Sequence, residues 1–237
     1  MKNILITSAL LLFCAVSIAQ VSTLEKQALV DLYVATQGEN WNNTWDLNTP
    51  VENWHGVTVI DNKVTVISLL FNNLEGEIPQ SFGQLVHLEK IELSFNNISG
   101  EIPKELANLK DLRLIAFNGN NLTGSIPEFL GTLKSLEALH LSSNNLEGEL
   151  PKSLGNLSKL EVLNVFDNNL EGIIPAELIL NSNLKQLIIA ENNIERTEKY
   201  TGILMFKNEE GYSKFKRSGV TPQGRTVIAI ETNDDEN

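Results

Sequence analysis

Six Asn-Asn pairs stand 24 residues apart, beginning at Asn72, Asn96, Asn120, Asn144, Asn168 and Asn192. A fixed period of this length restricts the chain to a stack of like units, because one unit alone is too small to bury its apolar face. Around one pair the frame reads Leu88-x-x-Ile91-x-Leu93-x-x-Asn96-x-Ile98-x-Gly100-x-Ile102-Pro103. The unit before runs from Val64 to Pro79 and the unit after from Leu112 to Pro127, followed by Leu136 to Pro151 and Leu160 to Pro175. A sixth copy starts at Leu184 and loses the frame after Ile194, where Arg196 stands in place of Gly.

Each frame position has a physical role. Ile91 and Leu93 have strand period, so both side chains point to one face. The sharp turn that follows leaves backbone groups inside without strand partners, and those groups need hydrogen bonds. An inward Asn amide both donates and accepts, so the first Asn of each pair can build a ladder along the stack. Gly100 and its equivalents suit a crowded or unusual return path. Pro103 and its equivalents fix the passage from extended chain to turn.

The motif is identified as the leucine-rich repeat. Its Leu-x-Gly-x-Ile-Pro segment resembles the plant-type subclass found in plant receptor ectodomains and polygalacturonase-inhibiting proteins, over residues 64–197. That resemblance implies an α/β solenoid, a right-handed superhelix of about six 24-residue repeats between N- and C-terminal caps. It also implies a parallel β-sheet on the concave face, a second short strand region at Gly-x-Ile-Pro, and 3₁₀ turns on the opposite side.

The flanks divide the chain further. Residues 1–19 read as a secretory signal peptide: Lys2, an apolar stretch from Ile4 to Ile18, and the small-x-small site Ser17-Ile18-Ala19. This places the protein outside the cell, secreted or at the cell surface. Cys14 is the only cysteine, and a lipoprotein signal needs a small residue before it, where Phe13 stands. Residues 20–63 read as a helical, Trp-rich cap. Ser22-x-x-Glu25 opens a helix as a capping box, and Gly38 stops it. Trp41, Trp45 and Trp54 then cover the open edge of the first repeat. Trp54-His55-Gly56-Val57-Thr58-Val59 resembles the Cys-x-Trp-x-Gly-Val-x-Cys cap of plant members, with Glu52 and Val59 where the cysteines belong. A cap without its disulfide resembles bacterial rather than plant proteins. Residues 198–237 read as a C-terminal cap with apolar strands at 203–206 and 226–230 and an acidic tail, while 207–225 match no pattern.

A net charge of −12 without a basic stripe excludes nucleic acid as a partner. Catalysis is not expected. His140 and Ser142 share the concave face, but Asp167 lies about 10 Å or more from His140, beyond triad reach. Exposed columns of Glu75, Glu77, Glu101, Glu147, Glu149 and Glu171 are read as a solvated rim. No metal and no cofactor is expected, and no span crosses a membrane.

The frame names the outward side chains of the sheet. Those nominated as ligand-binding are Leu70, Phe71, Glu92, Phe95, Leu114, Asn118, His140, Asn164, Phe166 and Ile188. Leu70, Leu114, Phe166 and Ile188, with Val66 and Val162, are apolar where solvent is expected, and Phe71 and Phe95 fall on adjacent strands ~5 Å apart. The expected function is a non-catalytic binding module for a protein or peptide. Glycan binding in adhesion is the alternative. Binding to an ice surface through the second Asn of each pair (Asn73, Asn97, Asn121, Asn145, Asn169, Asn193) is the remote one. Nothing in the sequence specifies an oligomeric state.

Overall fold

A computed structural model describes residues 20–195 and the backbone of two short strands further on. The chain enters through helix α1 (Thr23–Ala35). The Ser22 hydroxyl accepts from the Glu25 N–H at 3.2 Å and donates to its carboxylate at 2.7 Å. The other carboxylate oxygen accepts from the Val64 N–H at 3.1 Å, so Glu25 ties the helix to the first repeat rather than closing a capping box. The helix also ends before Gly38. The Thr36 hydroxyl bonds back to the Leu32 carbonyl, and Gln37 takes the left-handed conformation at φ 55°.

β1 (Val57–Ile60) and β2 (Lys63–Ser68) form an antiparallel hairpin. Its loop residues, Asp61 and Asn62, have φ of 48° and 62°, as the right-handed twist of a two-residue hairpin requires. Each repeat then supplies one strand to the main sheet and one to a second layer. In chain order these are β3 (Glu75–Glu77), β4 (Lys90–Glu92), β5 (Asn97–Gly100), β6 (Leu114–Ala116), β7 (Asn121–Leu122), β8 (Ala138–His140) and β9 (Glu147–Glu149). There follow β10 (Val162–Asn164), β11 (Asn169–Gly172), α2 (Ala176–Ile179), β12 (Gln186–Ile188) and β13 (Asn193–Ile194). The main sheet has the order β1-β2-β4-β6-β8-β10-β12, parallel from β2 onward. The second layer splits into β3-β5-β7 and β9-β11-β13, joined by a single Ser125–Glu147 bridge. This is the leucine-rich repeat solenoid. β14 (Met205–Lys207) and β15 (Ser213–Phe215) pair antiparallel. The signal peptide read at 1–19, and the cap and tail read at 198–237 apart from this pair, lie outside the described residues.

The core is continuous along the stack. Leu88, Ile91, Leu93, Ile98, Ile102, Leu106 and Leu109 of one repeat are all buried, and each contributes about 1.5–3 kcal/mol. Pro79, Pro103, Pro127 and Pro151 each precede a 3₁₀ turn, at 80–84, 104–108, 128–132 and 152–156. In the last repeat α2 replaces that turn. There Asn181 stands where Leu85, Leu109, Leu133 and Leu157 stand before it, and its amide donates to the Leu157 carbonyl at 2.8 Å. Gly76 shows why its column cannot carry a side chain at the cap. Its φ is 130°, and a Cβ would lie 2.1 Å from the Ala35 carbonyl oxygen at the end of α1.

The inward asparagines stitch one repeat to the next. The Asn120 carbonyl accepts from the Ile98 N–H at 3.0 Å, and its NH₂ donates to the Leu93 and Phe117 carbonyls at 3.0 Å each. Asn96, Asn144, Asn168 and Asn192 repeat this arrangement. Asn72 differs: it bonds to Asn43 of the cap, accepting from its N–H at 2.7 Å.

The candidate ligand face

Parallel registration aligns the outward side chains in rows. Val66, Lys90, Leu114, Ala138, Val162 and Gln186 form one row, and Ser68, Glu92, Ala116, His140, Asn164 and Ile188 the next. A third row, Leu70, Ser94, Asn118, Ser142, Phe166 and Ala190, lies just past the strands. Backbone bonds continue across it, for example Phe95 N–H to Asn118 O at 2.7 Å and Gly119 N–H to Ser142 O at 2.8 Å.

Curvature covers more of this face than the frame alone suggests. Val66, Leu114, Val162, Phe166 and Ile188 are half-buried, and Ser94, Ala116 and Ala190 are buried. The large apolar groups left open here form one patch. Leu70 is 39% exposed, Phe71 63% and Phe95 49%. The two phenyl rings stack face to face, with centroids 4.4 Å apart and planes 6° from parallel. Both residues hold φ near +55°, at 53° and 60°. For an aromatic side chain this left-handed backbone costs about 1–2 kcal/mol. The conformation belongs to the column and not to the rings, since Gly119, Ser143, Asp167 and Glu191 hold φ of 61°, 53°, 56° and 55° at the same position.

The centre of the face is internally neutralised. Glu92 takes the Lys90 ammonium at 3.0 Å on one oxygen and the Ser68 hydroxyl at 2.8 Å on the other. Asn118 accepts from both the backbone N–H and the hydroxyl of Ser142, at 3.0 and 2.9 Å. The Ser142 hydroxyl is therefore turned to Asn118 and not to His140. Asn164 accepts from the Phe166 N–H at 3.1 Å. Among the described residues, no three His, Cys, Asp or Glu side chains converge as a metal site, and no helix is long and apolar enough to cross a membrane. The glutamate columns are exposed.

His140 is half-buried, and desolvation holds its pKa below the ordinary 6.5, with Glu92 pulling the other way. A base whose folded pKa is depressed leaves stability untouched above pH 6.5. As pH falls below that value the unfolded chain takes up the proton first, and stability drops until the folded pKa is passed. His140→Gln is expected to remove this loss. The measurement is the difference in urea midpoint between the two proteins at pH 5 and pH 7.5, and equal differences at both pH values would refute it.

The family model described as "Leucine Rich Repeat" matches residues 87–109, 111–133, 135–157 and 159–179. The chain is a leucine-rich repeat protein of the plant type. Among solved structures, this leucine-rich repeat protein is similar to a plant ice-binding protein, at TM-score 0.69 and 26% identity, covering 74% of this chain and 58% of that one. It is similar to a chain of the BIR3–SERK2 complex from Arabidopsis thaliana, at TM-score 0.62 and 27% identity, covering 81% and 98%. It is also similar to the plant peptide hormone receptor RGFR1 in complex with RGF2, at TM-score 0.53 and 38% identity, covering 54% and 20%. The leucine-rich repeat chain thus spans nearly all of one of these relatives, about three-fifths of another and a fifth of the third. No curated protein matches it by sequence.

Proposed function

We propose that the chain is a secreted, non-catalytic binding module that recognises a protein or peptide through its concave face. One observation carries this: an exposed, stacked phenylalanine pair beside Leu70, where solvent-facing sheet residues are otherwise half-buried or hydrogen-bonded to one another. Exposed aromatic clusters of this kind are enriched where proteins meet partners. The likeness to a protein complex and to a peptide hormone receptor supports the same class of ligand. Secretion rests on the leader pattern at residues 1–19.

The test is capture from native extracellular medium by the wild type and by Phe71→Ser/Phe95→Ser/Phe166→Ser. Ser143 already occupies the Phe71 and Phe95 column at φ 53°, so serine is accommodated there. A specific protein or peptide retained by the wild type and lost by the triple variant, at unchanged circular dichroism, is the expected result. Equal capture by both would defeat the assignment, as would a strong glycan-array signal in place of any protein partner. The likeness to an ice-binding protein gives the second Asn column a second reading. Asn73, Asn97, Asn121, Asn145, Asn169 and Asn193 are all exposed at the repeat spacing. Thermal hysteresis at millimolar protein would support that reading, and its absence would end it.

A further inference from the structure

Cleavage after Ala19 makes Gln20 the first residue of the exported chain. An N-terminal glutamine carries its own electrophile. The freed α-amine reaches the side-chain amide carbon, Cδ, in a small unstrained lactam ring. Asparagine at this place would need a smaller, strained ring, and alanine or serine has no such carbon.

The fold seats the residues after Gln20 and leaves Gln20 itself out. Val21 is half-buried and packs against the core, and the Ser22 hydroxyl bonds to the N–H and the carboxylate of Glu25 at 3.2 and 2.7 Å. Gln20 is exposed and lies before α1, and its side chain has no hydrogen-bond partner among the described residues. Ring closure involves only atoms of Gln20, so it disturbs neither contact.

The surroundings favour a neutral lactam over an ammonium. Gln20 borders a recess of about 200 Å³ between the start of α1 and the 48–52 segment. An α-ammonium here stands within a turn of the N-terminus of α1, where the helix dipole disfavours positive charge. It also shares the recess with Lys26, whose own ammonium lies 5.8 Å from the centre of the Trp54 ring. Glu52 is the single carboxylate on the recess to offset both. Pro50 and Val51 give it apolar walls, and Asn48 and Thr49 polar ones, which suits a compact amide ring.

We infer that the mature chain begins with pyroglutamate, formed from Gln20. The α-nitrogen bonds to Cδ, the Cδ–Nε2 bond breaks, and ammonia leaves with the proton that the amine gives up. Nothing is oxidised or reduced. This rests on residues 1–19 being a leader and assigns the chemistry of the end that its removal exposes. The consequence is for α1. An open end lets an aminopeptidase take Gln20 and then Val21 and Ser22, which seat and cap the helix over the first repeat, whereas a lactam offers it no free amine.

The experiment recovers the full chain from the extracellular medium of its native cells and measures its intact mass before any digestion. The expected mass is that of residues 20–237 less one ammonia. Tandem mass spectrometry of the tryptic peptide 20–26 should place the loss on residue 20. Edman degradation should give no sequence until pyroglutamyl aminopeptidase has removed that residue, and should then read from Val21. Gln20→Ala, exported in the same way, cannot close the ring. It should be readable at once from position 20 and be shortened by a broad-specificity aminopeptidase that leaves the wild type unchanged. A mature chain starting with unmodified Gln20 overturns the inference and leaves the leader reading standing, and so does a start at another position beyond the leader. A chain that keeps residues 1–19 overturns both. A Gln20→Ala chain that resists the peptidase overturns the protective role of the lactam.

Discussion

Asn120→Ala is expected to lower the stability of the chain by about 3–5 kcal/mol, read as a shift in the guanidinium midpoint. The magnitude follows from which groups have a second partner. The Leu93 carbonyl takes amides from both Asn96 and Asn120, and the Phe117 carbonyl takes amides from both Asn120 and Asn144. Each of these keeps one bond when Asn120 is removed. The Ile98 N–H loses the Asn120 acceptor on which it is bonded, inside the core. An orphaned buried donor costs about 1–3 kcal/mol, and two weakened carbonyls with a small cavity add the rest. The control stands one residue away. Asn121 is exposed, and Asn121→Ala should move the midpoint by no more than about 0.5 kcal/mol. If the two variants unfold at the same denaturant concentration, the inward asparagines are not what joins the repeats.

That contrast within one Asn pair shows how far a period can be read. The frame places Ile91, Leu93 and Asn96 inward and Asn97 outward, because a stack of like units has one inside. It also sets Phe71 and Phe95 on neighbouring rungs, and a missing ring at Gly119 is visible in the same column. The period does not say how strongly the sheet curves, which is a property of the whole stack. Hence Phe166 and Ile188 read as open and are half-buried, while Leu70 stays exposed.

Local signals failed at the cap for a different reason: tertiary contacts took over groups that short-range rules assign elsewhere. Glu25 resembles the second half of a capping box, yet its carboxylate serves the Val64 N–H, 39 residues on. Gly38 resembles a helix stop, yet α1 ends at Ala35 and the left-handed residue is Gln37. The β1–β2 hairpin carries no short-range turn signal because its turn, Asp61-Asn62, has no glycine, although both residues take positive φ. The hairpin matters to the architecture, since β1 pairs antiparallel along the first parallel strand and so covers a sheet edge that would otherwise be open.

The cap's tryptophans carry the second large expectation. Trp45 sits at the centre of an aromatic cluster: it stacks on Trp54 at 4.8 Å, meets Trp41 edge-on at 4.9 Å and lies over Tyr33 at 6.1 Å. Its indole N–H donates to the His55 carbonyl at 2.8 Å, so it links the helix side of the cap to the segment leading into β1. Trp45→Ala removes a buried ring from the cap that covers the first repeat, and is expected to cost about 3–5 kcal/mol. In a solenoid each unit contacts only its neighbours, so the loss should not spread evenly. Amide exchange is expected to quicken over residues 20–72, where α1 and β2 lose their cover, while the amides of β8 and β10 keep most of their protection. Phe at this position keeps most of the buried ring area but gives up the bond to His55, so Trp45→Phe should recover more than half of the lost stability. A uniform loss of protection along all repeats would instead mean that the cap and the stack unfold as one unit, and that Trp45 holds the whole solenoid rather than its first turn.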